Sequence, residues 1–170
     1  MYSTSQSSRL PLSLRDLETM GTYKVLRAAH ENGVKRVVLA SSSAVYGDLT
    51  EAAGEDSLPD IYQNAYPIAK RINEITANFF SSSSRMETVA LRYFNTYSIG
   101  ENTKAQYSSV IWRFVMALQL GDVPEICDDG KQSRDFIYVE DTARVSIHTM
   151  EHSIPGEAYN VWDWSTNKRH

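Results

Sequence analysis

Cysteine is almost absent from this sequence, since Cys127 is the only one among 170 residues. An internal disulfide is therefore impossible, and we expect a reducing, cytoplasmic location. Long apolar runs are lacking too, because none approaches the roughly 20 residues that span a bilayer. No membrane anchor or signal peptide is expected, and the Ser-rich segment 1–11 is predicted to be a flexible tail.

Basic residues do not outnumber acidic ones: 17 Lys and Arg face 21 Asp and Glu, for a formal net charge of -4. Proteins that neutralise a phosphate backbone carry a basic stripe, so nucleic acid is not an expected partner. A metal site is not expected either. His148 and His152 have Glu151 between them, but the metalloprotease pattern places Glu directly after the first His.

Two amphipathic helices are predicted from apolar residues that recur at three- and four-residue steps. They cover 12–32 and 64–80, and Asn64 is the predicted N-cap of the second, with Pro67 in its first turn. The buried stripe predicted for the first helix is Leu14, Leu17, Gly21, Val25 and Ala28. The buried stripe predicted for the second is Ile68, Ile72, Ile75 and Phe79.

Apolar, β-branched runs predict strands at 35–40 and 87–94, separated by the second helix. The remaining predicted elements are strands near 125–127, 136–139 and 158–161, helices around 109–120 and 140–151, and a loop at 81–84. Cys127 is interpreted as a small buried hydrophobe. Strands that alternate with helices favour an α/β fold with a mainly parallel sheet.

Serines 41–43 follow the strand at 35–40, at the end of the sheet where open α/β folds bind ligands. Further along the chain, Tyr66 and Lys70 are four positions apart and share one helix face. An ammonium fixed beside a phenol favours the phenolate, which makes Tyr66 a candidate acid/base. Taken alone, such a pair is more often a chance feature of a solvated helix, so the surrounding motifs decide its meaning.

In order and spacing, these motifs resemble the extended short-chain dehydrogenases, within them the NAD-dependent epimerase/dehydratase family and its UDP-glucose 4-epimerases. Members carry Ser or Thr three positions before Val-Tyr-Gly, then Tyr-x-x-x-Lys; Ser42, Tyr66 and Lys70 occupy these places. Other similar segments are 21–22, 34–38, 91–95 and 130–139 with Asp141. The resemblance implies a partial Rossmann-like, doubly wound parallel sheet over 12–99 and part of a small nucleotide-sugar-binding α/β region over 100–170.

The resemblance also implies roles for individual residues. Tyr66 would take the proton of the sugar 4-hydroxyl while hydride leaves C4 for NAD, Lys70 would support the phenolate, and Ser42 would hydrogen-bond the reacting oxygen. The implied cofactor contacts are Ser41, Tyr66, Lys70 and Tyr93, and the implied substrate contacts are Asn95, Ser109, Val110 and Arg134. A purely structural reading of Arg134 with Asp135, as an ion pair, and of Tyr93 with Phe94, as core, stays open.

Residues beside the catalytic hydroxyl separate the reactions of such enzymes. Sugar 4,6-dehydratases typically have a sequence like Thr-Asp-Glu at these positions. This chain has Ser42-Ser43-Ala44 instead, with no carboxylate for elimination. The triplet favours 4-epimerisation of UDP-glucose or UDP-galactose. A nucleotide-sugar reductase or decarboxylase, and a non-catalytic remnant that pairs with a homologous chain, are the alternatives.

One implied motif is not found: none of the 8 glycines forms the Gly-x-x-Gly-x-x-Gly turn that would cradle the NAD pyrophosphate. We therefore expect a form truncated at its N-terminus, with only the later strands of the nucleotide-binding sheet and an incomplete grip on NAD. The resemblance further implies a homodimer through the helices at 12–32 and 64–80.

Overall fold

The computed structural model describes residues 12–47, 54–59, 61–62, 64–101, 108–126, 129–130 and 133–163. Its helices are α1 (Leu12–Glu31), α2 (Ala65–Ser83), α3 (Val110–Leu120) and α4 (Val139–His152), with a short 3-10 helix at Ser43–Tyr46. Its strands are β1 (Arg36–Ser42), β2 (Glu87–Tyr93), β3 (Asn95–Tyr97), β4 (Phe136–Tyr138) and β5 (Ala158–Val161). The four long helices and β1, β2, β4 and β5 lie where the sequence predicts them, within a few residues.

The strands form parallel ladders. β1 pairs with β2 over its whole length and β5 pairs with the other side of β2, which gives the order β1-β2-β5. β3 and β4 form a separate parallel pair. This arrangement confirms the α/β fold with a parallel sheet. The division at 99 and 100 stays a prediction, and β5 from the second segment completes the sheet of the first.

Both faces of the three-stranded sheet are covered. On one face, Leu39 of β1 packs against a cluster that includes Leu26 of α1 and Phe80 of α2. On the other face, Val38 packs against a cluster that includes Leu91 of β2, with Val145 of α4 beside it. Neighbouring residues of β1 thus enter different clusters, as expected for a strand with helices on both sides.

The helix faces that are buried differ from the predicted ones. In α1, Leu26 is 1% exposed whereas Val25 is 64% exposed. In α2 the predicted stripe is wrong, because all four of its members are exposed: Ile68, Ile72, Ile75 and Phe79. The buried positions of α2 are Pro67, Ala69, Asn73, Glu74, Ala77 and Phe80. Polar partners on the sheet turn the helix to this face, as the next section describes.

Three further predictions need correction or fall outside the structure. The expected loop at 81–84 is largely helix, because α2 continues to Ser83, and the hydroxyls of Ser82 and Ser83 donate to the Phe79 carbonyl. Glu125 and Ile126 are not in a strand. Residue 127 of that predicted strand, and the tail at 1–11, lie outside the described residues.

Within the part of the chain that the structure describes, no helix is both long enough and apolar enough to cross a bilayer.

Candidate active site

The turn after β1 fixes the position of Ser42. Ser42 is the N-cap of the 3-10 helix, and its Oγ accepts a hydrogen bond from the Ala44 amide at 3.2 Å. Gly47 ends this short helix with φ of 63°, a conformation that favours glycine. Because the Ser42 oxygen is used here as an acceptor, its hydroxyl proton remains available for donation to another oxygen.

Tyr66 and Lys70 lie in the first two turns of α2. The helix begins at Ala65 because Asn64 caps it, with the Asn64 Oδ1 accepting from the Tyr66 amide at 3.2 Å. Lys70 Nζ lies 5.6 Å from the centre of the Tyr66 ring and donates to the Ala40 carbonyl at 3.4 Å. The lysine therefore links the tyrosine to the C-terminal half of β1, close to Ser42.

Tyr93 is the register partner of Ser42, so both residues stand at the C-terminal ends of adjacent parallel strands. The Tyr93 hydroxyl lies 2.9 Å from Ser146 Oγ of α4. Ser41 points to the other face of the sheet, where its Oγ donates to Glu74 Oε1 at 2.5 Å. The Ser41 hydroxyl is buried in that bond, and its contact with a cofactor stays a prediction.

Two of the predicted substrate residues, Asn95 and Arg134, lie in adjacent segments. Asn95 begins β3 and its Nδ2 donates to the Asp135 carbonyl at 2.9 Å. Arg134 is exposed, and its Nη1 donates to the Ser133 carbonyl at 2.7 Å. Ser133 is the only hydrogen-bond partner of this side chain among the described residues, and since arginine has five N–H groups, others can bind a ligand.

Ser109 and Val110 stand at the start of α3. Ser109 is the N-cap, with its Oγ accepting from the Trp112 amide at 3.2 Å. Its own amide donates to the buried carboxylate of Glu101 at 2.6 Å. Val110, the first helical residue, is partly exposed.

A buried ion pair behind the candidate catalytic residues was missed by the sequence analysis. Arg92 of β2 makes two hydrogen bonds of 2.9 Å to the carboxylate of Glu74 in α2, one to each oxygen. Both side chains are 3% exposed. Arg92 Nη1 also donates to the Tyr46 hydroxyl at 2.8 Å, and Tyr46 donates to Asn160 Oδ1 at 2.6 Å.

The charges of this pair shape the titration of its members. Burial alone would raise the pKa of Glu74, but hydrogen bonds from Arg92 and Ser41 outweigh it and hold that pKa below its usual range. Burial would lower the pKa of Arg92, but the bonds to Glu74 and Tyr46 raise it. Burial raises the pKa of the Tyr46 phenol. Glu74 and Arg92 are therefore both charged at neutral pH.

A sequence pattern could have pointed to the pair. Arg92 interrupts the apolar run Val89-Ala90-Leu91, and an arginine inside a buried strand needs an acidic partner. Glu74 is the first carboxylate after Lys70 on the same helix, and the apolar periodicity of that helix places it away from the predicted buried stripe.

Within the described residues, no group of three or more His, Cys, Asp or Glu side chains gathers to hold a metal ion. His148 and His152 stack with their ring centres 4.3 Å apart on the exposed side of α4.

Comparison with known proteins gives a consistent set of relatives. The model of the NAD dependent epimerase/dehydratase family matches residues 3–161. A UDP-N-acetyl-alpha-D-glucosaminuronate decarboxylase of Bacillus cytotoxicus is 35% identical over 147 residues, which are 83% of this chain and 44% of that protein. The chain thus spans less than half the length of this curated relative.

Solved structures agree with the fold. A UDP-N-acetylglucosamine 4-epimerase from Methanobrevibacter ruminantium superposes with a TM-score of 0.85 at 32% identity, over 95% of this chain and 52% of that one. A UDP-glucuronic acid 4-epimerase from Bacillus cereus, in complex with UDP-glucuronic acid and NAD, has a TM-score of 0.74 at 27% identity, over 85% of this chain and 45% of that one.

Proposed function

Because the chain belongs to the NAD dependent epimerase/dehydratase family, we propose that it carries the catalytic residues of an NAD-dependent UDP-sugar 4-epimerase. The observation that carries this proposal is the position of Lys70 Nζ, 5.6 Å from the Tyr66 ring centre and bonded to β1 near Ser42. The phenol and the ammonium share one helix, and the ammonium bonds the strand that ends at Ser42, which supports the proposal.

The phenol, the ammonium and the Ser42 hydroxyl each have hydrogen-bonding capacity left for their proposed roles. Among the described residues, no side-chain or backbone partner bonds the Tyr66 hydroxyl, so it can take the proton of a sugar 4-hydroxyl. Lys70 spends one of its three N–H groups on Ala40 and can use the others beside the phenolate. Ser42 can donate its proton to the same sugar oxygen.

NAD, when bound, would supply hydride transfer to and from sugar C4. The chain's own part is to hold the reacting oxygen between Ser42 and Tyr66 and to move a proton there. Tyr93 would line the nicotinamide side, next to Ser42 in the register. Asn95 and Arg134 would bind the substrate diphosphate, for which a guanidinium gives paired donors, and Ser109 and Val110 would line the nucleotide pocket.

Epimerisation is preferred over elimination because Ser43 and Ala44 place no carboxylate beside Ser42. A decarboxylase of the same family remains the second enzymatic candidate, since a curated relative that is 35% identical carries that name. Analysis of the product by NMR separates the two: a 4-epimer keeps every carbon of the sugar, whereas decarboxylation of a uronate releases CO₂.

A complete grip on NAD is not expected from these residues alone, because no glycine-rich phosphate turn is present among them. The chain supplied with NAD and UDP-galactose or UDP-glucose is therefore predicted to give no turnover. A chimera tests the assignment: residues 12–163 replace the matching part of the Methanobrevibacter ruminantium epimerase, which provides the remainder. Because that host is a UDP-N-acetylglucosamine 4-epimerase, the assay offers UDP-N-acetylglucosamine as well as UDP-glucose, and we expect the 4-epimer of at least one of them to form. A folded chimera that binds NAD and forms no epimer would refute the epimerase assignment.

The same family membership supports a homodimer through α1 and α2. Large apolar side chains face solvent on both helices, among them Val25 at 64%, Ile75 at 55% and Phe79 at 60% exposure. An apolar patch of this kind on a monomer is a candidate protein interface. Pairing with a homologous chain without catalysis is the alternative function, and a cytoplasmic location fits the single cysteine.

A further inference from the structure

The Glu74–Arg92 ion pair joins the two elements that flank the candidate site. Glu74 lies one helical turn beyond Lys70 in α2, and Arg92 directly precedes Tyr93 in β2. The guanidinium and the carboxylate meet in a two-pronged contact with both hydrogen bonds at 2.9 Å. Such a planar, paired contact fixes orientation as well as distance.

Each carboxylate oxygen of Glu74 has a second donor. Oε1 accepts from Ser41 Oγ at 2.5 Å, and Oε2 accepts from Arg71 Nη1 at 2.9 Å. Ser41 is the residue before Ser42, so the end of β1 is tied to α2 next to the candidate catalytic hydroxyl.

The guanidinium of Arg92 bonds the far end of the turn that begins at Ser42. Its Nη1 donates to the hydroxyl of Tyr46, the last residue of the 3-10 helix that Ser42 begins. The same Nη1 donates to the Glu55 carbonyl at 2.6 Å, and Glu55 Oε1 accepts from the Asn160 amide at 3.1 Å. The turn that carries Ser42 is thus held at both ends by one ion pair.

The contribution of this ion pair to the free energy of folding does not by itself account for its presence. Replacing a buried ion pair with apolar side chains of similar volume is often neutral or stabilising, whereas breaking one half is costly. A pair whose bonds reach the strand end, the turn and the helix of the candidate site is better explained by geometry. Positioning matters in catalysis, because a misplacement of about 1 Å can cost roughly hundredfold in rate.

We propose that Glu74 and Arg92 are positioning residues, which hold the turn of Ser42 at a fixed distance from the helix of Tyr66 and Lys70. They touch no reacting atom and act through Ser41 and Tyr46. We call the Glu74–Arg92 pair, with its bonds to Ser41 and Tyr46, the clamp. Its catalytic role rests on the proposed epimerase function. Its structural role, holding the turn of Ser42 in place, can be tested without measuring turnover.

The test replaces the whole pair, Glu74→Leu with Arg92→Met, so that no buried charge is left alone. The chain offers a control of the same residue types, because Arg36 and Glu87 form a more exposed Arg–Glu pair between β1 and β2, at the opposite ends of the strands. The control variant is Arg36→Met with Glu87→Leu. Hydrogen exchange of individual backbone amides is followed by NMR in the full chain without cofactor or substrate.

Two amides report on the turn: Ala44, which donates to Ser42 Oγ, and Gly47, which donates to the Ala44 carbonyl. In the Glu74/Arg92 variant we expect both to exchange at least about tenfold faster, while the amides of Val89 and Leu91 keep their rates. The control variant should leave the exchange rates of the Ala44 and Gly47 amides unchanged.

Unchanged exchange at Ala44 and Gly47 in the double variant overturns the proposal. So does a uniform acceleration that includes Leu91, because the pair would then support the whole fold and not the turn. If the double variant does not fold, Tyr46→Phe and Ser41→Ala each remove one tie, and normal protection of the turn in both overturns the clamp. A failed epimerase assay leaves these rates untouched, so the two failures are distinguishable.

Discussion

Lys70 Nζ lies 5.6 Å from the centre of the Tyr66 ring and donates to the carbonyl of Ala40 in β1 at 3.4 Å. The ammonium is therefore held from two sides, by its own helix and by the strand that ends at Ser42. Lys70 is thereby a contact between the helix that carries Tyr66 and the strand that ends at Ser42.

Truncation of two asparagines, Asn64 at the cap of α2 and Asn73 within α2, should cost different amounts of stability. Asn64→Ala removes the N-cap that bonds the Tyr66 amide, and we expect a loss of about 1 kcal/mol in the free energy of unfolding. Asn73 is 3% exposed and its Oδ1 has no hydrogen-bond partner among the described residues. Asn73→Ala should therefore cost less than Asn64→Ala, because it relieves a buried, unsatisfied oxygen. Urea denaturation of both variants checks the order.

Acid should weaken the contribution of Glu74. Its pKa in the folded chain lies below the ordinary value of about 4.3, because the hydrogen bonds from Arg92 and Ser41 overcome the opposing effect of burial. A carboxyl of this kind contributes stability in full above its unfolded pKa and loses it as pH falls through the folded pKa. The stability difference between the unmodified chain and Glu74→Gln should thus shrink below about pH 4.

Urea denaturation between neutral pH and about pH 3 measures that difference. Glu151→Gln, at an exposed position of α4, is the control for the loss of one acidic group. A difference that stays constant over the whole range would contradict the ion-paired state of Glu74.

The exposed apolar face of α2 should mediate self-association. Phe79→Glu places a charge in the proposed interface, so we expect sedimentation velocity to show a shift from dimer to monomer. Ile147→Glu is the matched control, because Ile147 of α4 is 66% exposed and lies outside the proposed interface. A dimer that survives Phe79→Glu, or a chain that is monomeric without any substitution, would count against the interface.

Much of the fold could be predicted because local patterns determine it. α1 ends where Asn32 and Gly33 predict, with Gly33 at φ of 71° closing the helix. β5 spans the predicted residues. What could not be predicted is which side of α2 meets the sheet. Apolar periodicity favoured Phe79 and its neighbours, but the contact of Glu74 with Arg92 depends on a strand that lies 18 positions away in the chain.

In the candidate site, too, some residues could be selected from the sequence and others could not. Ser42, Tyr66 and Lys70 belong to short motifs, so the sequence was enough to select them. The clamp behind them joins Glu74 with residues of β1, β2 and the 3-10 helix, and only the folded chain brings these together. Apolar periodicity describes one helix or strand at a time, whereas a buried charge is stabilised by a partner on another element.

The most direct test of the account is the epimerase activity of the chimera with and without the Tyr66 hydroxyl. Tyr66→Phe removes one oxygen, and Tyr23→Phe makes the same change on the partly exposed surface of α1. Since a positioned acid/base contributes about 10²–10⁴-fold, we predict that Tyr66→Phe lowers kcat by at least about a hundredfold and Tyr23→Phe leaves it unchanged. Equal activity of the two variants would contradict the role of Tyr66 as the proton acceptor.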